Sequence, residues 1–344
     1  MLNVSPAGCR VPLSVLDATP RPLTDQQHGS RKLVVMPLGT LSSRLAAIAS
    51  AATLARRSDV DLTIVWPKGG DPEFEASWAD LYQAPTLHVG PFPSGKYSFA
   101  DAGCTVHRVT TFDDYVKVHN LWETIDGNQV LCVVATGSFV REPQQSNWFY
   151  RMLVPSRGVL RIITALKKAY DWHYWGQFVG IHACRAQECI ERKASTSASA
   201  VAAAFSSDPL HHSRYHLPAT SEFLSLANRF ARMPLDGESM PRFFIVSEDR
   251  AEEEALRQQL WAMNLTGAEG TGVVLEGEAR HRKPHSLAGI QEIAASLHLL
   301  SDASLLIGSP GSEFSYAAAA MGDVFMVIAG EGDEGESSFL MDGL

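Results

Sequence analysis

The sequence lacks the features that mark several protein classes. Its five cysteines are an odd number without dense spacing, which argues against a disulfide scaffold. No stretch approaches the roughly 18–20 unbroken apolar residues that a membrane-spanning helix needs. For this reason we expect no integral membrane segment. The 29 lysines and arginines are dispersed and outnumbered by 38 acidic residues, so we do not expect nucleic-acid binding either. What remains is a globular protein of 344 residues, long enough for two domains of about 150 residues each.

The start of the chain also lacks a recognisable targeting signal. Residues 1–30 contain no basic segment followed by an apolar one and are typical of a flexible lead-in. The N-terminus as written favours a cytoplasmic protein, while the secretory pathway or Golgi stays open for a chain with a longer N-terminus. Residues 331–344 are predicted to be a tail.

Short apolar runs alternate with segments of helical periodicity, which is typical of parallel α/β sheets. The run Lys32–Pro37 predicts a core strand, residues 46–58 predict a helix capped by Ser42 or Ser43, and residues 61–67 predict the next strand. Strand, helix and strand within about 35 residues form a βαβ unit. The same reasoning predicts strands at 106–112, 129–136, 178–183, 242–249, 271–276, 303–309 and 323–329, and helices at 159–172, 221–233, 250–263, 286–300 and 312–321.

This alternation predicts two Rossmann-like domains, each with a doubly wound parallel sheet, facing each other across a cleft. The predicted N-terminal, acceptor-side domain covers residues 31–157, and the predicted nucleotide-sugar-binding domain covers 158–330. Two such domains in tandem form the GT-B architecture of sugar-nucleotide-dependent glycosyltransferases.

Three predicted strands of the second half end in polar residues, where ligands bind in open parallel sheets. The most informative end is Gly308–Ser315, "GSPGSEFS", because a Gly- and Ser-rich turn that opens a helix presents N–H groups and hydroxyls to an anion. Gly311 and Ser312 are equally compatible with a plain turn and helix cap.

The other two strand ends add charged groups. Arg185 follows the strand that ends at His182 and Ala183. A guanidinium there would bind the phosphates of an anion held at Gly308–Ser315, although a plain surface position is an alternative. Glu248 and Asp249 would bind a ribose or base, or would cap the next helix. A zinc site built from His182, Cys184 and Cys189 is disfavoured, because no second ligand pair lies at suitable spacing.

Four segments within residues 31–330 resemble the fucosyltransferase superfamily with the GT-B fold, in particular NodZ-like and O-fucosyltransferase-like proteins. "LGTLSSRL" is similar to a Gly-x-x-Asn-Arg-Leu segment, "VGIHACRAQE" lies where the family has His-x-Arg-Arg-x-Asp, and "FFIVSED" is similar to a Thr-Asp-Asp strand. The most specific block, "GIQEIAASLHLLSDASLLIGSPGSEFS", is close to a Gly-Ile-Gln helix followed by Leu-Ser, a strand and Ser-Ser-Phe-Ser.

The resemblance implies fucosyl transfer from GDP-fucose to a glycan or protein hydroxyl, with inversion and with neither a metal nor another cofactor. It implies that Arg185 neutralises the β-phosphate as charge develops there. The partners would be a GDP-sugar donor and a glycan or glycoprotein acceptor. By position, the donor would contact His182, Glu248, Asp249, Ser309, Gly311, Ser312, Phe314 and Ser315, and the acceptor-side loop would include Gly39, Ser43 and Arg44.

The chain departs from the family pattern at four positions. Cys184 replaces the first motif arginine, Gln187 replaces the aspartate, Ser43 replaces the asparagine, and Glu313 replaces the second serine of the Ser-Ser pair. A glutamate at a phosphate cradle repels the ligand unless its side chain points away. These departures keep two alternatives open, a pseudo-enzyme that binds GDP-sugar or glycan without turnover and a GT-B enzyme with another sugar nucleotide. The acceptor, the general base and the oligomeric state are not assigned.

Overall fold

The structure is a computed structural model, and the account below concerns the residues that it describes. These are residues 32–58, 60–67, 74–83, 88–91, 106–109, 130–139, 143–170, 172, 178–184, 218–232, 242–247, 250–263 and 286–330.

The first half of the chain forms a five-stranded parallel sheet. Its order is β3-β2-β1-β5-β4, so the chain runs outward from β1 on one side and returns to place β5 on the other side of β1. This order is that of a doubly wound sheet, and the direction of winding reverses between β1 and β5. The strands are β1 (Lys32–Pro37), β2 (Asp61–Trp66), β3 (His88–Pro91), β4 (Val106–Val109) and β5 (Val130–Ala135).

The second half forms a four-stranded parallel sheet in the order β7-β6-β8-β9. Its central strand β6 is buried along its whole length, as expected for an apolar run covered on both faces. The winding reverses between β6 and β8. The strands are β6 (Phe178–Ala183), β7 (Arg242–Ser247), β8 (Leu305–Gly308) and β9 (Met326–Ile328).

Eight α-helices lie within the described ranges, and a 3₁₀ turn at Pro143–Ser146 precedes the third. None of them has the length and apolar content needed to cross a membrane. The helices are α1 (Leu41–Ser58), α2 (Trp78–Leu81), α3 (Asn147–Arg151), α4 (Arg157–Ala169), α5 (Thr220–Ala231), α6 (Arg250–Ala262), α7 (Leu287–Ser301) and α8 (Glu313–Gly322).

The last two helices join the halves of the molecule. Helix α7 packs on α4 and α2, and helix α8 packs on α3 and α1. One continuous hydrophobic core therefore includes side chains of the first sheet together with Ile290 and Leu297 of α7 and Phe314 of α8. A second core, around Val179, Phe223 and Leu305, lies within the second half alone. The proposed division at residues 157 and 158 stays a prediction.

The structure confirms most predicted strands and helices and corrects several of their ends. Helix α1 begins at Leu41, so Ser42 and Ser43 lie in its first turn, and Thr40 provides the cap because its hydroxyl accepts the Ser43 N–H at 3.3 Å. The short edge strand β3 was not predicted. The predicted strand at 271–276 lies outside the described residues.

Helix α8 extends one residue beyond the predicted end at residue 321. Gly322 is still helical, and Asp323 adopts the left-handed conformation with φ of 55°. Gly322 is instead required by close packing, because a Cβ at this position would lie 1.7 Å from the carbonyl oxygen of Ser301.

We expect Gly322→Ala to destabilise the protein by about 1–3 kcal/mol or more. The new methyl group would clash with the carbonyl oxygen of Ser301, so α7 or α8 would have to shift. Urea unfolding would measure the change. The matched control is Gly158→Ala, whose Cβ would meet only the flexible end of Gln291, at 2.6 Å, and should change stability by no more than about 1 kcal/mol. Equal effects of the two substitutions would contradict this role of Gly322.

Candidate functional site

The candidate site lies where the winding of the second sheet reverses. Strands β6 and β8 are neighbours, and their carboxyl ends carry His182 and Ser309. A crevice forms at such a position because the connections leave in opposite directions, and ligands of open α/β sheets bind there. The three strand ends that the sequence singled out belong to the adjacent parallel strands β7, β6 and β8, although the residues directly after Ser247 lie outside the described ranges.

The first turn of α8 closes this crevice from one side. Ser312 is the N-cap, and its hydroxyl accepts the Ser315 N–H at 3.2 Å. The preceding Gly311 has a φ of +64°, a conformation that glycine adopts without steric cost. The turn thus presents a helix N-terminus, with its remaining N–H groups and the positive end of its dipole, at the sheet edge.

His182 is the polar centre of the site. Its Nδ1 lies 2.8 Å from the Ser315 hydroxyl and 3.2 Å from the Ser312 hydroxyl. Its ring packs against Phe314 with ring centroids 4.7 Å apart. The side chain is only 1% exposed, and this burial lowers the pKa of His182 to about 3. The imidazole is therefore neutral at physiological pH and joins β6 to α8 as a hydrogen-bonding group.

Ser309 holds the backbone that continues beyond β6. Its hydroxyl donates to the carbonyl oxygen of His182 at 2.9 Å and accepts the Cys184 N–H at 2.8 Å. The Ser309 N–H in turn donates to the Ser315 hydroxyl at 3.3 Å. The segment that leads to Arg185 is thereby fixed at its start, with Cys184 nearly fully buried.

Cys184 forms a disulfide, as does Cys132 of β5. The sequence analysis argued against a disulfide scaffold and gave no sign of these bonds, because spacing along the chain does not reveal which cysteines meet in space. A sulfur in a disulfide is not a thiolate ligand for zinc. Within the described ranges, no group of three or more His, Cys, Asp and Glu side chains is arranged to hold a metal ion.

Several predicted site residues lie outside the described residues. They are Arg185, Gln187, Glu248 and Asp249, and their assignments stay predictions.

Glu313 follows the N-cap of α8, and its side chain reaches the first half of the chain. Its carboxylate accepts the Ser43 hydroxyl at 2.7 Å and the Ser138 N–H at 2.9 Å, both in the first half of the chain. Both carboxylate oxygens are therefore engaged with donors of the first half of the chain. Sequence reasoning missed Gly137 and Ser138, although a Gly-Ser pair after an apolar strand is the same signal that identified Gly308 and Ser309.

The residues of the predicted acceptor-side loop have different surroundings. Ser43 faces Glu313, whereas Arg44 is 1% exposed and donates to the carbonyl oxygens of Gly39 at 2.9 Å and Pro67 at 2.8 Å. Its guanidinium also lies 3.9 Å from the ring centroid of Phe74. Burial lowers the pKa of Arg44 to about 9, which leaves it cationic at neutral pH. Arg44 thus anchors the loop that follows β1.

The buried Tyr150 lies near Glu313 at the contact between the two halves, and the partly buried Tyr316 packs against Tyr150. Burial raises the pKa of Tyr150 of α3 well above its ordinary value, and the charge of Glu313 is the next largest cause. Tyr316 of α8 donates its hydroxyl hydrogen bond to Asn147 of α3, and burial also raises its pKa. The first turn of α8 therefore contacts α3 of the first half as well as His182 of the second half.

Comparison with solved structures identifies the architecture. Fucosyltransferase FUT1 from Arabidopsis thaliana, solved as a mutant in complex with GDP, is 17% identical, with a TM-score of 0.53 over 88% of this chain and 71% of that one. NodZ α-1,6-fucosyltransferase, known from Bradyrhizobium and solved after soaking with GDP-fucose, is 14% identical, with a TM-score of 0.51 over 87% of this chain and 94% of that one. POFUT1 in complex with GDP-fucose is 10% identical, with a TM-score of 0.53 over 88% of this chain and 98% of that one.

These likenesses confirm the predicted fold. The chain has a GT-B fold of the fucosyltransferase type, with two Rossmann-like regions. No protein-family model matches the sequence, and no curated protein matches it.

We expect the free energy of unfolding to fall as the pH decreases from about 6.5 towards 4. An unfolded histidine has a pKa of about 6.5, whereas burial lowers the folded pKa of His182 to about 3 and that of His298 to about 4. Because the unfolded chain then binds protons that the folded chain does not, each histidine contributes a slope of up to about 1.4 kcal/mol per pH unit. His182→Asn should remove the contribution of His182 to this slope, and urea unfolding at several pH values would measure the change.

The matched variant His298→Asn should independently remove the contribution of His298 to the pH dependence of the free energy of unfolding. A pH profile that is identical in wild type and His182→Asn would mean that the folded protein protonates His182 as readily as the unfolded chain does.

Proposed function

We propose that this protein is a glycosyltransferase that transfers fucose from GDP-fucose to a glycan or protein hydroxyl with inversion, without a metal or other cofactor. The observation that carries the proposal is the His182–Ser312–Ser315 cluster at the reversal point of the second sheet. It shapes a helix N-terminus into an anion-binding edge in a fold shared with proteins solved with GDP or GDP-fucose.

The chemistry of transfer fits this edge. When the acceptor hydroxyl attacks the anomeric carbon, the bond to the β-phosphate oxygen breaks and GDP leaves with additional negative charge. The dipole and first-turn N–H groups of α8 stabilise such charge without reorganising, because Ser312 and Ser315 are already fixed by His182. The serine hydroxyls shape the cradle, and backbone N–H groups bind the phosphate.

Arg185 has the proposed role of neutralising the β-phosphate. It comes two residues after Ala183, where β6 ends, and the N–H of the preceding Cys184 donates to the Ser309 hydroxyl. A guanidinium at that edge would form two parallel hydrogen bonds with phosphate oxygens. Glu248 and Asp249, which directly follow β7, are proposed to face the nucleoside.

We expect GDP to bind with micromolar affinity in calorimetric titration and Arg185→Ala to weaken it by about 10- to 100-fold, since a charge-assisted contact contributes about 1.5–3 kcal/mol. Arg161→Ala is the control, because Arg161 is an exposed arginine on α4. Affinities that are equal in wild type and Arg185→Ala would contradict the assigned role. Competition by UDP- or ADP-sugars without GDP binding would indicate a different donor.

A second candidate function is donor or glycan binding without turnover. Two observations favour it: the position of the first motif arginine is held by Cys184, buried in a disulfide, and the position of a cradle serine is held by Glu313, engaged with the first sheet. Such a protein would retain the phosphate edge and lack one of two cations that stabilise the leaving group.

Release of fucose from GDP-fucose separates the two functions. An active transferase should hydrolyse the donor slowly or transfer it to members of a glycan and peptide panel, and Arg185→Ala should abolish this turnover. Tight GDP binding with no turnover over the whole panel would establish the binding protein instead.

A further inference from the structure

A carboxylate of this chain occupies the reversal point of the first sheet. Glu313 is the first residue of α8, and its Oε2 accepts the Ser43 hydroxyl at 2.7 Å while its Oε1 accepts the Ser138 N–H at 2.9 Å. Ser43 follows β1 and Ser138 follows β5, the two strands between which the winding reverses. Open α/β sheets bind ligands at such a position.

The loops around this carboxylate have the geometry of a built site. Gly39 has a φ of +91° and Gly137 a φ of +113°, so both loops use backbone conformations that other residues rarely adopt. A Cβ on Gly137 would lie 2.4 Å from Oε1 of Glu313, so only glycine lets the carboxylate approach the loop. Ser138 is itself held, because its hydroxyl lies 3.2 Å from that of Ser50.

We propose that the loops after β1 and β5 form a nest for a small carboxylate anion, and that the side chain of Glu313 fills it as a latch between the two halves of the protein. The nest consists of the Ser43 hydroxyl, the Ser138 N–H and the backbone at Gly39 and Gly137. This inference is independent of whether GDP binds.

The latch connects the two reversal points through one turn of helix. Ser312 and Ser315 contact His182 in the second sheet, and Glu313 between them contacts the first sheet. A rotation of α8 that improves one set of contacts disturbs the other. Glu313 is therefore a positioning residue, which sets how the loops of the first half face the candidate phosphate site.

The geometry argues against Glu313 as a general base. Each carboxylate oxygen already accepts a hydrogen bond from the protein, so both oxygens are engaged with the first half of the chain rather than with an acceptor hydroxyl. The Ser138 donor is a backbone N–H, which does not turn away to make room for an acceptor substrate.

Chemical rescue tests the nest directly. Glu313→Ala leaves the donors in place and removes their occupant, so the melting temperature should fall, and sodium formate should restore part of the loss in a saturable manner. Sodium chloride at equal ionic strength should not. Wild type should show no such formate effect, because the nest is filled.

Two further variants locate the effect. Glu222→Ala is the matched control, since Glu222 accepts a backbone N–H at the start of α5 outside the latch, and it should show no rescue by formate. In Glu313→Ala combined with Ser43→Ala, the formate concentration for half-rescue should rise about tenfold, because one donor is lost. No formate-specific rescue in Glu313→Ala, or equal rescue in Glu222→Ala, would overturn the proposal.

Hydrogen exchange gives a second readout that does not need the alanine variant to fold well. In Glu313→Gln the side chain keeps its size and loses its charge, and the Ser138 amide should exchange about tenfold faster than in wild type. Amides of β6, which do not contact Glu313, serve as the internal reference. An unchanged ratio between Ser138 and β6 would also overturn the proposal.

Discussion

The first turn of α8 is the constraint on which the rest of the arrangement depends, because it makes hydrogen bonds in two directions. Ser312 and Ser315 bind His182 at the end of β6, and Glu313 binds the Ser43 hydroxyl and the Ser138 N–H beyond the first sheet. The apolar side of the helix meanwhile belongs to the core that both halves share. These contacts on three sides fix the position of α8, and the two sheets are positioned relative to this helix.

This constraint shapes the candidate chemistry. A preorganised helix N-terminus is useful to a leaving phosphate because its dipoles do not have to reorient as charge develops. A neutral, buried His182 maintains that preorganisation without adding a charge of its own. The cation must then come from elsewhere, and the chain offers Arg185, since Cys184 beside it is buried in a disulfide. In the proposed function, the guanidinium of Arg185 would decide between transfer and binding without turnover.

The sequence predicted most of the strands because they are continuous apolar runs. Lys32–Pro37 and Phe178–Ala183 were placed to the residue. Phe178–Ala183 is buried at every position, and burial on both faces selects continuous apolar residues. The edge strand His88–Pro91 gave no such signal. The predicted cap of α1 was wrong. Ser42 and Ser43 are residue types that often cap helices, but Thr40 caps this one. The predicted helix at 312–321 stopped short of Gly322, which is helical and packs closely against Ser301.

The sequence by itself determined the alternation of strands and helices, the fold type and the polar turn at Ser309–Ser315, because these follow from periodicity and from residues close together along the chain. Only the tertiary structure decided the burial of Arg44, the disulfide at Cys184 and the direction of Glu313. Glu313 and Ser43 lie 270 residues apart along the chain. No local pattern encodes such a contact, because it forms only when two independently wound sheets pack against one shared helix.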